Sequence, residues 1–134
     1  MKEEAILKPV MRFINEALNQ GNGAVIPEVW AEDLLWKGGS LGTVHGIKEL
    51  MSGGVQSFSD MHLTVLDSTV KDNTVWLRFT NEGVQTGEFM GYPASDKYAK
   101  WNRFGWYEVE DGKIVHGWFS EDILDMLKQL GHTE

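Results

Sequence analysis

Trp101-Asn102-Arg103-Phe104-Gly105-Trp106-Tyr107-Glu108-Val109-Glu110-Asp111-Gly112-Lys113-Ile114-Val115-His116-Gly117-Trp118-Phe119-Ser120 reads as two strands around a tight turn. Aromatic and β-branched residues fill both arms, and Asp-Gly supplies the left-handed backbone that a two-residue hairpin loop needs. With Asp111-Gly112 as the turn, Val109 faces Ile114, Tyr107 faces His116, Gly105 faces Trp118 and Arg103 faces Ser120. These pairs share one side, because strand side chains alternate with period two. Trp101 lies on that side as well, and the same parity carried past the strand brings Asp122 toward it. Phe104, Trp106, Val115 and Phe119 occupy the opposite side. Both faces are therefore aromatic, whereas a sheet with one wet face alternates apolar and polar residues. The second face is expected to meet another copy of the chain, giving a homodimer through the outer side of the sheet.

Upstream, Met61–Val70 and Thr74–Val84 form a second hairpin around Asp72-Asn73. Leu66, Val70, Val75, Leu77 and Phe79 share its inner face, and Asp67 pairs with Arg78 across the outer one. Followed to the strand ends, the inner face carries His62, Thr64, Asn81 and Gln85, polar groups entering an apolar cavity, which is how ligand pockets are built. A one-residue slip would exchange the faces.

Before Met61 the pattern is helical. Ile6, Val10, Phe13, Ala17 and Leu18 recur at helical spacing, with the firm helix starting at Pro9, ending at Asn19 and stopped by Gly21. A helical turn from Pro27 leads into Leu34-Leu35-Trp36, and Gly46–Gln56 forms another helix weakened by Gly53-Gly54. Trp30 and Trp36 plug the space between helices and sheet. Helices first and hairpins after predict an α+β fold, a curved antiparallel sheet wrapped over N-terminal helices, with a short helix after Asp122.

The 134 residues form one domain, 1–134, with 42% hydrophobic and 24% charged residues, enough for a real core. A formal charge of −8 without a Lys/Arg cluster opposes nucleic-acid binding. Absence of cysteine rules out disulfides and thiol chemistry. No apolar run reaches the ~20 residues that cross a bilayer, and the acidic N-terminus does not read as a signal peptide, so a cytoplasmic protein is expected. The four histidines lack metal-ligand spacing, and no Gly-rich loop with a lysine cradles phosphate, so neither metal nor nucleotide cofactor is expected. Gly38-Gly39-Ser40-Leu41-Gly42 matches Gly-x-Ser-x-Gly, but the chain is too short for the doubly wound sheet in which that motif makes a nucleophile. It reads as a flexible loop at the pocket mouth.

Asp122 has two readings. Its carboxylate could open among Trp118, Tyr107 and Trp101, where desolvation suits a general acid and base; or it could cap the helix that begins there. His116, opposite Tyr107, could orient Asp122 or relay its proton, or be a satisfied structural histidine. His62 carries the weaker case for function.

Asp111-Gly112-Lys113-Ile114-Val115, Trp118, Asp122 and Gln129-Leu130-Gly131 also fall in register with the C-terminal signature of the SnoaL-like polyketide cyclases (ester cyclases), which this chain resembles. Thr86-Gly87-Glu88-Phe89-Met90-Gly91-Tyr92-Pro93 resembles the family's Gly-Glu-Phe-x-Gly segment more weakly, with Gln85 where the family usually places a histidine. The resemblance implies the cone-shaped nuclear transport factor 2-like (cystatin-like) fold. It also implies cofactor-independent acid/base chemistry on an apolar carbonyl-bearing small molecule, an intramolecular aldol-type cyclisation with Asp122 as acid and base. Isomerisation, hydration or epoxide opening on the same fold, and a non-catalytic dimeric binding module, are the other activities it allows.

Overall fold

Amphipathic spacing at the N-terminus produces a helix that lies across a sheet whose strands all follow it in the chain. The computed structural model describes residues 2–52 and 57–133. Helix α1 (Lys2–Arg12) continues as a wider π-helical coil over Phe13–Asn19. It begins seven residues before Pro9, which lies buried inside it. Proline lacks the N–H that the Ala5 carbonyl would otherwise accept, and burial of Pro9 and Val10 against the sheet carries the helix through this loss. At its end, Asn19 replaces a strand neighbour: its Nδ2 donates to Leu63 O at 2.8 Å and its Oδ1 accepts from Leu63 N–H at 2.7 Å.

A short α2 (Ile26–Val29) precedes β1 (Trp30–Gly38), so Leu34-Leu35-Trp36 lies in a strand rather than in a helix. Leu34 and Trp36 point inward with period two, with Trp30. After β2 (Val44–His45) and α3 (Gly46–Ser52) come the long strands β3 (Phe58–Lys71), β4 (Thr74–Gln85), β5 (Tyr98–Glu110) and β6 (Lys113–Glu121), then α4 (Ile123–Gln129). The expected end of α3, Gly53-Gly54 to Gln56, lies outside the described residues. The sheet order is β2-β1-β6-β5-β4-β3. It is antiparallel except that β1 runs parallel to β6, a pairing that only tertiary structure creates.

The main core fills the concave side. Phe13 meets the Trp30 and Trp36 rings edge-on at 5.3 and 6.1 Å, and Trp36 stacks on Phe119 at 4.0 Å. A second cluster, Phe58, Ala99, Trp101, Met126, Leu127 and Leu130, seats α4 over the open end of the sheet. Here the Gln-Leu-Gly signature has a structural meaning. Gln129 clamps the Lys100 backbone through both groups, accepting from its N–H at 2.9 Å and donating to its carbonyl at 2.7 Å. Leu130 is buried, and Gly131 takes φ +83°, which ends the helix.

Register shifts in β6 and β3 set which residues face inward. Asp111 and Gly112 both have positive φ, as the hairpin turn requires, and Val109 pairs with Ile114 as expected. Glu108 then pairs with His116, leaving Val115 as an extra residue. From there every partner moves by one: Tyr107 opposes Gly117, Gly105 opposes Phe119 and Arg103 opposes Glu121. In β3 the register shifts between Val65 and Asp67, so Leu66 is exposed rather than inward. Leu63 and Val65 take the inner parity, opposite Asn81 and Phe79, while Asp67 faces Arg78 as the hairpin predicts.

Candidate active site

The concave side closes over an interior pocket of about 100 Å³ between the two core clusters. Its walls are apolar, with Trp36, Phe58, Leu63, Phe89, Trp101 and Met126 among them, and four residues bring polar groups: Ser40, Asn81, Arg103 and Glu121. β4, β5 and β6 supply the last three from adjacent strands: Arg103 is the cross-strand partner of Glu121, and Asn81 that of Trp101, two residues along β5 from Arg103.

Glu121 is the pocket carboxylate. Its Oε1 accepts from Trp101 Nε1 at 3.0 Å and from Asn81 Nδ2 at 3.4 Å, and its Oε2 accepts from the Ser40 N–H at 2.7 Å. These donors fix its orientation from three sides. The Gly38–Gly42 segment is thus at the pocket mouth, but as a short turn (Gly39–Leu41) fastened to Glu121. Glycine is required here. A Cβ on Gly39, at φ +66°, would fall 2.6 Å from Glu121 Oε2, and one on Gly38, at φ +94°, would fall 2.1 Å from the Phe119 carbonyl oxygen.

Arg103 is about nine-tenths buried and packs its guanidinium against Phe119, Phe79 and Trp36 at 4.7, 5.4 and 5.6 Å. Aromatic faces offset part of the cost of burying a cation. Arg103 Nε has no hydrogen-bond partner, and neither has Asn81 Oδ1. Tyr107 lies deeper, and burial raises its phenol well above the ordinary range despite the opposing field of Arg103. It stays protonated near neutral pH and is no base.

Of the residues singled out from sequence, the structure brings Trp101, Arg103 and Asn81 together in the pocket. It separates the others. Asp122 N–H still donates to Asn102 O at 3.0 Å, extending the ladder one residue past Glu121, so Asp122 has the outward parity. Its side chain is exposed and accepts from the Asp125 N–H at 3.1 Å, capping α4. His116 and Trp118 lie on the outer face, where Trp118 Nε1 donates to His116 Nε2 at 2.5 Å, Glu108 stands 4.0 Å from His116 Nδ1, and Trp118 is half exposed. One extra residue at Val115 accounts for all three displacements. The β3 register shifts place His62 opposite Glu82 and exposed.

Gln85 is fully buried and does not line the pocket. Its Nε2 donates toward the carbonyls of Gly87, Tyr92 and Pro93 at 3.0, 3.3 and 3.1 Å, and its Oε1 lies 2.5 Å from His132 Nε2. It fastens the segment that carries Phe89 into the pocket wall, with His132 stacked on Tyr92 at 4.7 Å. Glu121 is the residue that sequence reasoning missed. The available signal was the spacing of five between Ile114 and Phe119, both apolar enough for the core, which admits a shared inner face only with an extra residue between them.

The outer face carries its own apolar groove, lined by Trp76, Phe104, Trp106 and Trp118. Among the described residues no cluster of three His, Cys, Asp or Glu could hold a metal ion, and no helix is long and apolar enough to cross a membrane.

A family model for SnoaL-like polyketide cyclases matches residues 8–130. No curated protein matches the chain by sequence. Among solved structures, TsrD from Streptomyces laurentii is 21% identical with a TM-score of 0.86, over 99% of this chain and 99% of that one. IdmH from Streptomyces antibioticus is 26% identical with a TM-score of 0.78, over 94% and 98%. An LEH-like epoxide hydrolase from M. tuberculosis is 17% identical with a TM-score of 0.78, over 97% and 92%. The fold is common to all three.

Proposed function

Because the chain belongs to the SnoaL-like polyketide cyclase family, we propose that it is a cofactor-independent acid/base enzyme acting on an apolar carbonyl-bearing small molecule, with Glu121 moving the proton. The observation that carries this reading is the Glu121 carboxylate held by Trp101, Asn81 and Ser40 at the edge of an apolar pocket. A base so placed abstracts a proton next to a carbonyl, and the resulting carbon nucleophile attacks a second carbonyl of the same molecule in an aldol-type cyclisation. Holding the two ends together supplies much of the rate, of the order of several kcal/mol.

The family resemblance assigns the acid/base role to Asp122; the geometry favours Glu121, one residue earlier, because Asp122 caps α4 outside the pocket. Epoxide opening is less well supported, since water activation and oxygen protonation call for two acid/base groups and Glu121 is the single carboxylate among the pocket-lining residues. The test is incorporation of solvent deuterium next to the carbonyl of enolisable ketones, followed by proton NMR. Glu121→Gln is expected to abolish it and Asp122→Asn to spare it; the reverse would overturn the assignment.

The exposed Trp76, Phe104 and Trp118 favour a homodimer formed through the outer face, since apolar patches of this kind mark association sites. A chain without cysteine suits a reducing cytoplasm.

A further inference from the structure

We propose that Arg103 is a further catalytic residue, the cationic seat for the substrate's carbonyl oxygen, and that the substrate is a compact dicarbonyl compound rather than a fused-ring one. This rests on the acid/base reading of Glu121. Three observations converge on it. Arg103 is buried in the pocket wall with Nε unpartnered, although leaving a buried donor unpaired is costly. Asn81 Oδ1, an acceptor in the same pocket, is also unpartnered. Both side chains flank the carboxylate: a Cβ built on Gly39 would lie 2.6 Å from Glu121 Oε2 and 3.5 Å from Arg103 Nη2, and Asn81 Nδ2 donates to Glu121 Oε1 at 3.4 Å.

A base, a cationic donor and a neutral acceptor around one small space fit a molecule with two carbonyl groups separated by a single carbon. Glu121 takes the proton from the carbon between them. The C–H electron pair becomes the C=C bond of an enolate, and the carbonyl π pair moves onto the oxygen facing Arg103. When protonated Glu121 passes that proton to the second oxygen instead of back to carbon, the neutral enol forms and its O–H donates to Asn81 Oδ1. Return of the proton from Glu121 to carbon closes the cycle without any co-reactant. Arg103 interacts more strongly with the enolate than with the neutral carbonyl, which is the condition for lowering the barrier.

Size supplies the second half of the inference. The pocket holds about 100 Å³, whereas drug-sized ligands take about 300 Å³ or more. Phe58, Phe89 and Trp101 wall it on one side, with Phe58 within 5.5 Å ring-to-ring of both others.

Acetylacetone and the bulkier dibenzoylmethane are the probes, with deuterium incorporation at the central carbon read by NMR above the buffer rate. Wild type is expected to accelerate acetylacetone exchange, with kcat/KM at least ~100-fold above that for dibenzoylmethane. Arg103→Met is expected to lower kcat by about 100-fold with a smaller change in KM, and Arg103→Lys to restore part of it; circular dichroism checks that both variants fold. Near-ultraviolet absorbance of bound enolate should appear with wild type and be lost in Arg103→Met. Unchanged kcat in folded Arg103→Met, alongside an inactive Glu121→Gln, would overturn the role of Arg103 and leave the acid/base reading standing. Equal exchange of both diketones would overturn the size limit. No acceleration by wild type, or full activity in Glu121→Gln, would overturn the acid/base reading and this inference with it.

Discussion

Glu121 and Asp122 are adjacent carboxylates with opposite surroundings, so a matched set of substitutions separates catalysis from capping. Asp122 makes one described side-chain hydrogen bond, from the Asp125 N–H at 3.1 Å, and holds the start of a seven-residue helix whose Met126 and Leu127 are buried. Asp122→Ala removes the cap and is expected to cost about 1 kcal/mol, lowering Tm by roughly 3–5 °C in a chain of this size. Asp122→Asn keeps an accepting oxygen and is expected to be close to neutral. Glu121→Gln differs in kind. Both carboxylate oxygens accept, one from Ser40 and the other from Trp101 and Asn81, so the new amide must turn a donor toward another donor. That mismatch is expected to cost about 1–3 kcal/mol, while turnover falls by about 10²–10⁴ through loss of the base. Urea unfolding and deuterium exchange on the same preparations read the two effects. Asp122→Asn that unfolds normally yet loses turnover, beside an active Glu121→Gln, would refute the placement of the base.

Gln85→Leu leaves the Gly87, Tyr92 and Pro93 carbonyls and His132 without their shared partner. It is expected to destabilise by about 3 kcal/mol in urea titration; a loss below about 1 kcal/mol with turnover abolished would instead make Gln85 a substrate contact. The Tyr107 phenol ionises near 10 when unfolded but well above that when folded. Its contribution is therefore complete below pH 10 and lost as the pH rises further, by at most about 1.4 kcal/mol per unit. Tyr107→Phe should flatten this alkaline decline, and an identical decline in both proteins would show that another group causes it. Trp118→Glu places a charge in the outer apolar groove and should convert a sedimenting dimer to a monomer with turnover retained; a monomeric wild type would remove the dimer proposal.

Much of the fold was legible because its signals are local. Asp111-Gly112 and Asp72-Asn73 mark hairpins through turn chemistry, and alternation along β5 is complete, with Ala99, Trp101, Arg103, Gly105, Tyr107 and Val109 all inward. Strand β1 was hidden. Leu34-Leu35-Trp36 is a continuous apolar run, which periodicity alone does not separate from a helix, and its parallel partner β6 is some eighty residues away. Pro9 misled in the other direction, since tertiary burial overrides its local cost.

The site depended on a single residue count. Pairing from the turn is correct for Val109 and Ile114 and fails from Glu108 onward, because Val115 is an extra residue on β6 alone. Turn chemistry fixes register only next to the turn, and a bulge a few residues away carries no comparable mark in Val115-His116. Its consequences are nevertheless large: it exchanges His116 for Gly117, Trp118 for Phe119 and Asp122 for Glu121 on the inner face. The same shift explains why glycine stands at 105 and 117. A Cβ on Gly117 would come within 2.8 Å of the Phe119 ring and 3.1 Å of Trp30, and one on Gly105 within 3.2 Å of Phe119. Both glycines clear the space in which the Phe119 ring lies between Trp36 and Arg103. Packing of one ring therefore ties the bulge to the guanidinium and to the carboxylate opposite it. A change at Val115 that restored regular pairing would exchange these inward groups for Trp118 and Asp122 together, which is why the register of β6 is the property on which this site depends.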